Sequence, residues 1–152
     1  MLAQKLGYDF IDTDHLIEKR SGMTVLEIFA TNGEQAFRDM ESDIAHELSG
    51  GEGLIVSTGG GMMLNPDNVS ALCANGQVFC LVATPEEILK RVSSDKNAKR
   101  PLLDAKNPLE RIVELIQQRE KCYKQFTQIS TSGKIPDEIT RYLLTVFEST
   151  QN

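Results

Sequence analysis

Leu54-Ile55-Val56-Ser57-Thr58-Gly59-Gly60-Gly61 is a short apolar run that passes straight into three glycines. The run is too short for a helix and is rich in β-branched residues, so it predicts a buried strand over Leu54 to Ser57. Glycines lack a Cβ, which lets a backbone approach a ligand closely and present bare N–H groups to it. A flexible turn would use glycine too, but three in a row at the end of a buried strand favour a ligand contact.

Working outward from this stretch, strands alternate with helices. Gly50-Gly51 separates the strand from a long helix predicted over Glu34 to Leu48, which Gly33 precedes. Met1 to Leu6 reads as the end of a helix closed by Gly7. Tyr8 to Ile11 reads as a second buried strand, with Asp12-Thr13-Asp14 at its carboxyl end. Asp14 is placed to cap a helix over His15 to Arg20, and Thr24 to cap a short one through Phe29. Downstream come a helix near Pro66 to Ala74 and a strand over Gln77 to Ala83. Thr84-Pro85-Glu86-Glu87 is a strong helix start. Ser93 to Lys99 is polar and charged, a mobile loop by composition. Pro108 to Phe126 is a long amphipathic helix and Thr127 to Ser130 the last strand. Pro136 opens a final helix with Ile139, Leu143, Leu144 and Phe147 at helical spacing. This alternation predicts a mostly parallel sheet with helices on both faces, a three-layer α/β/α arrangement. Ligands in such sheets sit beyond the carboxyl ends of strands. Asp12, Asp14 and Gly59 to Gly61 therefore converge.

Bulk properties set the frame. With 152 residues, 40% of them hydrophobic and 25% charged, the chain fits one domain spanning 1–152. A net charge of −6 gives a nucleic-acid role no support. The three cysteines, Cys73, Cys80 and Cys122, make no CxxC pair, which argues against a zinc site or a disulfide framework and fits a reducing cytoplasm. No apolar run approaches the ~18 residues of a membrane span.

Several side chains could carry chemistry. Asp12 and Asp14 are spaced to share a face if the strand geometry persists. That suits a magnesium-linked carboxylate beside one that accepts a hydroxyl hydrogen bond. A helix cap plus a solvated acid is the plainer alternative. Arg38 and Arg119 could each grip a carboxylate with two parallel hydrogen bonds. Their acidic neighbours (Glu34 and Glu41, Glu114 and Glu120) could equally hold them in surface ion pairs. Arg100, with Lys96 and Lys99, could close a loop over phosphates. Ser132-Gly133-Lys134 fails the phosphate-loop pattern G-x-x-x-x-G-K-[ST], because Gln128 and Ile135 occupy its first and last positions.

Taken together, five ordered motifs resemble shikimate kinase, of the nucleoside-monophosphate-kinase-like P-loop fold. They are Asp12-Thr13-Asp14, the stretch Ile28 to Arg38, Ser57 to Gly61, Arg100-Pro101-Leu102-Leu103, and Arg119 with Tyr123. The resemblance implies transfer of the ATP γ-phosphoryl group to the 3-hydroxyl of shikimate, on the route to chorismate and the aromatic amino acids. It implies that Asp12 helps position Mg²⁺ through water, and that Asp14 binds a shikimate hydroxyl and acts as general base. Arg38 and Arg119 would clamp the shikimate carboxylate, while Gly60 and Gly61 meet the substrate through backbone N–H groups. Ser57 would stand in a modified Walker B strand. Arg100 would be the arginine of a lid spanning about 93–105, Arg91 would flank the adenine, and Glu41 would orient Arg38. The family's first, central strand and its phosphate loop have no counterpart after Met1, so the expectation is a longer native product that supplies them. A monomer is expected for the full-length family, with self-association open to a chain whose central strand is missing. A non-catalytic shikimate-binding module and another small-molecule kinase of the same fold, such as a gluconate-type kinase, are the alternatives.

Overall fold

The structure, a computed structural model, describes residues 1–94 and 106–150. These group into two compact units, Met1–Val78 with Leu144–Asn152, and Phe79–Leu143.

The first unit begins with α1 (Leu2–Leu6), closed by Gly7, and β1 (Asp9–Asp12). Then follow α2 (Thr13–Ser21), α3 (Val25–Leu48), β2 (Leu54–Ser57), a 3₁₀ turn (Met62–Leu64) and α4 (Pro66–Cys73). β1 and β2 pair in parallel, with Asp12 opposite Ser57. That register brings Asp12 and the glycine run to the same end of the sheet, as the alternation predicts. The core is built by Ile17 from α2, Ile28, Phe37, Ile44 and Ala45 from α3, and Met62 and Met63 from the turn.

The helix starts follow local chemistry. Thr24 and Glu27 form a reciprocal capping box at the start of α3, which satisfies two orphan donors of its first turn. Asn65 caps α4 by accepting from the Asp67 N–H at 2.9 Å, with Pro66 next in the chain. α3 is two helices abutting at Gly33, whose φ of 84° is left-handed territory that suits glycine. The break predicted at Gly33 is therefore present, and the Phe29 and Phe37 rings pack 5.0 Å apart across it.

The second unit holds β3 (Phe79–Val82), α5 (Pro85–Ser94), α6 (Pro108–Tyr123) and β4 (Thr127–Ser130). The last helix is α7 (Pro136–Ser149). β3 and β4 are also parallel, with Val82 opposite Ser130. Thr84 accepts from the Glu87 N–H at the start of α5, as its sequence predicts. Val92, Ile112, Ile129 and Leu143 are its buried apolar residues. Among the described residues the strands are all parallel, in two two-stranded pieces. Most of the expected lid over 93–105, including Arg100, lies outside the described residues.

Candidate functional site

The helix α2 begins two residues earlier than its sequence suggests, at Thr13 rather than His15. Asp12, not Asp14, is the N-cap: its Oδ1 accepts from the His15 N–H at 3.0 Å. The chain turns helical at Thr13, so the strand alternation that would put Asp12 and Asp14 on one face ends at Asp12. The cap wins because its extended backbone lets the Asp12 side chain reach a first-turn N–H, whereas Asp14 is already inside the helix.

Asp14 then points toward the glycine run. A Cβ on Gly59 would stand 2.7 Å from its Oδ1, so only glycine fits beside it. That Oδ1 is buried and has no hydrogen-bond partner among the described residues. Burial, followed by the neighbouring charges of Asp12 and Glu18, raises the Asp14 carboxyl above the ordinary aspartate range, and Arg38 opposes the rise.

Arg38 lies at the other end of the same loop. A Cβ on Gly61 would meet its guanidinium, 2.6 Å from Cζ and 2.8 Å from Nη2. Two carboxylates of α3 pin that guanidinium: Nη1 donates to Glu41 Oε2 at 2.7 Å and Nη2 to Glu34 Oε1 at 2.9 Å. Both predicted acidic neighbours are therefore real partners of Arg38. They differ sharply, since the Glu41 side chain is 1% exposed and that of Glu34 is 64% exposed. Burial works against the Arg38 charge, but the hydrogen bonds it donates to Glu41 and Glu34 outweigh it and raise its pKa. Burial also lifts the Glu41 carboxyl above the ordinary glutamate range despite Arg38. Glu41 Oε1 is a second buried oxygen with no hydrogen-bond partner among the described residues.

Other polar side chains hold this loop, the residue after it and the backbone of Arg38. Thr13 is fully buried, and its hydroxyl accepts from the Gly59 N–H at 3.3 Å. Asn68, 1% exposed, donates from Nδ2 to the Met62 carbonyl at 3.0 Å. Asn65 donates to Ser42 Oγ, which in turn donates to the Arg38 carbonyl. Their partners lie up to 46 residues away, so no local pattern announces them. The one sequence signal is a threonine enclosed between the two candidate aspartates, Asp12 and Asp14.

In the second unit, Arg91 donates to Thr131 Oγ1 at 2.8 Å and to the Thr131 carbonyl at 3.0 Å. Glu87 accepts from the Gly133 N–H at 2.8 Å. Arg119 hydrogen-bonds Tyr123, whose phenol burial pushes above its usual range while Arg119 holds it down. The acids near Arg119 in sequence pair elsewhere, Glu114 with Arg111 and Glu120 with Lys124. The first unit thus brings together Asp12, Asp14, Arg38, Glu41 and the glycine run. Arg91 and Arg119 belong to the second unit.

Among the described residues no group of three metal-ligating side chains occurs, and no helix is long and apolar enough to cross a membrane.

Comparison with known proteins shows the family of the chain. A family model described as shikimate kinase matches residues 1–148. A shikimate kinase of Thermodesulfovibrio yellowstonii is 38% identical, over 100% of this chain and 87% of its own length. One from Thermus thermophilus is 41% identical, over 94% of this chain and 78% of its own. Among solved structures, the shikimate kinase of Acinetobacter baumannii in complex with shikimate superposes with a TM-score of 0.89 at 33% identity. That match covers 98% of this chain and 83% of the other. The Aquifex aeolicus shikimate kinase gives 0.82 at 30% identity, covering 99% of this chain and 87% of the other. Neither a binding module nor a kinase for a different acceptor finds support among these matches.

Proposed function

The chain belongs to the shikimate kinase family of ATP-dependent phosphotransferases, and we propose that its glycine-run pocket is where the acceptor is held and activated. Shikimate carries a carboxylate and a set of hydroxyls. Arg38 offers the carboxylate a planar guanidinium already oriented by Glu41 and Glu34. Arg119 is the second half of the carboxylate clamp, by family resemblance. Gly60 and Gly61 contribute backbone N–H groups. Asp14 accepts the hydrogen of the attacking 3-hydroxyl and takes its proton as the bond to phosphorus forms. Its raised pKa brings it closer to the working pH of a general base.

Phosphoryl transfer asks the protein mainly for positioning and charge stabilisation. Arg100 and Arg91 are assigned to the nucleotide, Arg100 at the phosphates and Arg91 beside the adenine. Mg²⁺ fits the donor set only loosely: one carboxylate, Asp12, at a strand end beside a second buried acid. Such an ion keeps most of its waters and binds chiefly to phosphates, so one protein carboxylate suffices. When bound it neutralises charge on the ATP phosphates. We further place the enzyme in the cytoplasm as a monomer of one domain.

The observation that carries this reading is the pairing of Asp14 with Gly59 and of Arg38 with Gly61 at the two ends of one loop. Shikimate-dependent release of ADP from ATP and Mg²⁺ tests it, with an identically purified Asp14→Asn protein as the control. Turnover that is lost in the variant is expected. Equal turnover by both proteins would remove Asp14 from the chemistry.

A further inference from the structure

We propose that Thr13 and Asn68 are positioning residues that clamp the two ends of the Gly59-Gly60-Gly61 loop and set its geometry for the acceptor. The inference rests on the acceptor-pocket reading of that loop. Three consecutive glycines have the widest conformational freedom of any tripeptide, so their own φ and ψ preferences cannot fix where their N–H groups point. Something outside the loop must do so. At the entry the Thr13 hydroxyl, fully buried, accepts from the Gly59 N–H. Thr13 sits between Asp12 and Asp14, so this bond couples the loop to the carboxylates it faces. At the exit Asn68, equally buried, donates to the carbonyl of Met62, the residue after Gly61.

Asn68 is informative because stability alone would not select it. Its Oδ1 is buried with no hydrogen-bond partner among the described residues. The Met62 carbonyl already accepts from the Asn65 N–H at 3.4 Å. An apolar side chain of the same size would avoid the unsatisfied oxygen and leave the carbonyl partnered. The amide is therefore kept for the loop it holds.

Four proteins test this: the parent, Thr13→Val, Thr13→Ser and Asn68→Leu. Shikimate affinity is read by calorimetry and the Michaelis constants for shikimate and ATP by kinetics. Losing one such hydrogen bond corresponds to about three- to ten-fold in a binding constant. Thr13→Val is expected to weaken shikimate binding by that factor with the Michaelis constant for ATP unchanged, and Thr13→Ser to restore it. Asn68→Leu is expected to weaken shikimate binding similarly while melting no lower than the parent. Shikimate affinity unchanged in Thr13→Val, or not restored by serine, would overturn the clamp at the entry. Asn68→Leu melting lower with shikimate affinity intact would make that residue merely structural. A parent protein that binds no shikimate at all would instead sink the acceptor-pocket reading, and the clamp with it.

Discussion

Replacing Gly61 with alanine should disable the acceptor pocket through Arg38. The added Cβ would lie 2.6 Å from Arg38 Cζ and 2.8 Å from Nη2. Carbon atoms in contact prefer about 3.5–4.0 Å, so the guanidinium must withdraw by about 1 Å. A solvent-exposed arginine would absorb that shift easily. Arg38 cannot, because its Nη1 is fixed to the buried Glu41 at 2.7 Å and its other nitrogens to Glu34. Withdrawal breaks the Glu41 bond or moves the guanidinium off the position where a carboxylate would meet it. One hydrogen bond to a charged group is worth about 1.5–3 kcal/mol. Shikimate affinity should therefore fall about ten- to a hundred-fold, with the Michaelis constant for ATP little changed. Calorimetry with shikimate measures the first quantity. Gly50→Ala is the control, since nothing lies within 4 Å of its added Cβ. The mechanism also predicts non-additivity: with Arg38 already changed to alanine, the Gly61 methyl has nothing to strike and should cost less than about two-fold. A full ten-fold loss in that background would refute the clash with Arg38.

Because its folded pKa is raised, Asp14 holds its proton more tightly in the native state than in the unfolded chain. Stability therefore falls as pH rises through the window between the two values, while activity, which needs the ionised form, is lost as pH falls through the folded one. The acid limb of kcat/KM should lie above the ordinary aspartate range. Glu18→Gln should move it downward, because it removes a negative neighbour yet keeps the oxygen that accepts from the Val25 N–H; a limb that stays put would contradict the assignment to Asp14. Thr24→Ala should lower stability by about 1 kcal/mol through loss of the capping box, with shikimate affinity unchanged, as denaturant unfolding and calorimetry would show. Arg91→Lys cannot reproduce the paired bonds to Thr131 and should raise the Michaelis constant for ATP several-fold while sparing that for shikimate; an effect confined to shikimate would overturn its nucleotide role.

The elements were legible wherever local chemistry sets them. Thr24 with Glu27, Asn65 with Pro66, and Thr84 with Pro85 announce helix starts, and Gly33 announces the break inside α3. Arg38, Glu34 and Glu41 could be paired from spacing alone, because residues three and four apart share a helix face. The choice between Asp12 and Asp14 as cap was not legible. Both are good capping residues, and the decision turns on where extended backbone gives way to helix, a boundary set by pairing with β2. Thr13 and Asn68 were hidden for a related reason. Each lies inside a helix, and each owes its importance to a loop it meets only after the chain has folded.

In the first unit three buried acceptors, Asp14 Oδ1, Glu41 Oε1 and Asn68 Oδ1, have no hydrogen-bond partner among the described residues. An unmet acceptor of this kind costs about 1–3 kcal/mol, and native interiors hold few of them. Their positions explain why they persist. Each belongs to a residue that flanks the glycine run or holds a group that does: Asp14 faces Gly59, Glu41 fixes Arg38 against Gly61, and Asn68 holds Met62. For Glu41 and Asn68 the orphan is the idle end of a side chain whose other end sets the geometry. For Asp14, in the role proposed for it, the orphan is the atom that would meet a substrate hydroxyl, whose donor would satisfy the oxygen that the fold leaves open. On the proposed reading of the glycine run, the first unit gives up stability to hold its polar groups in place before an acceptor arrives, which is the condition under which binding energy is spent on transfer rather than on assembling the site.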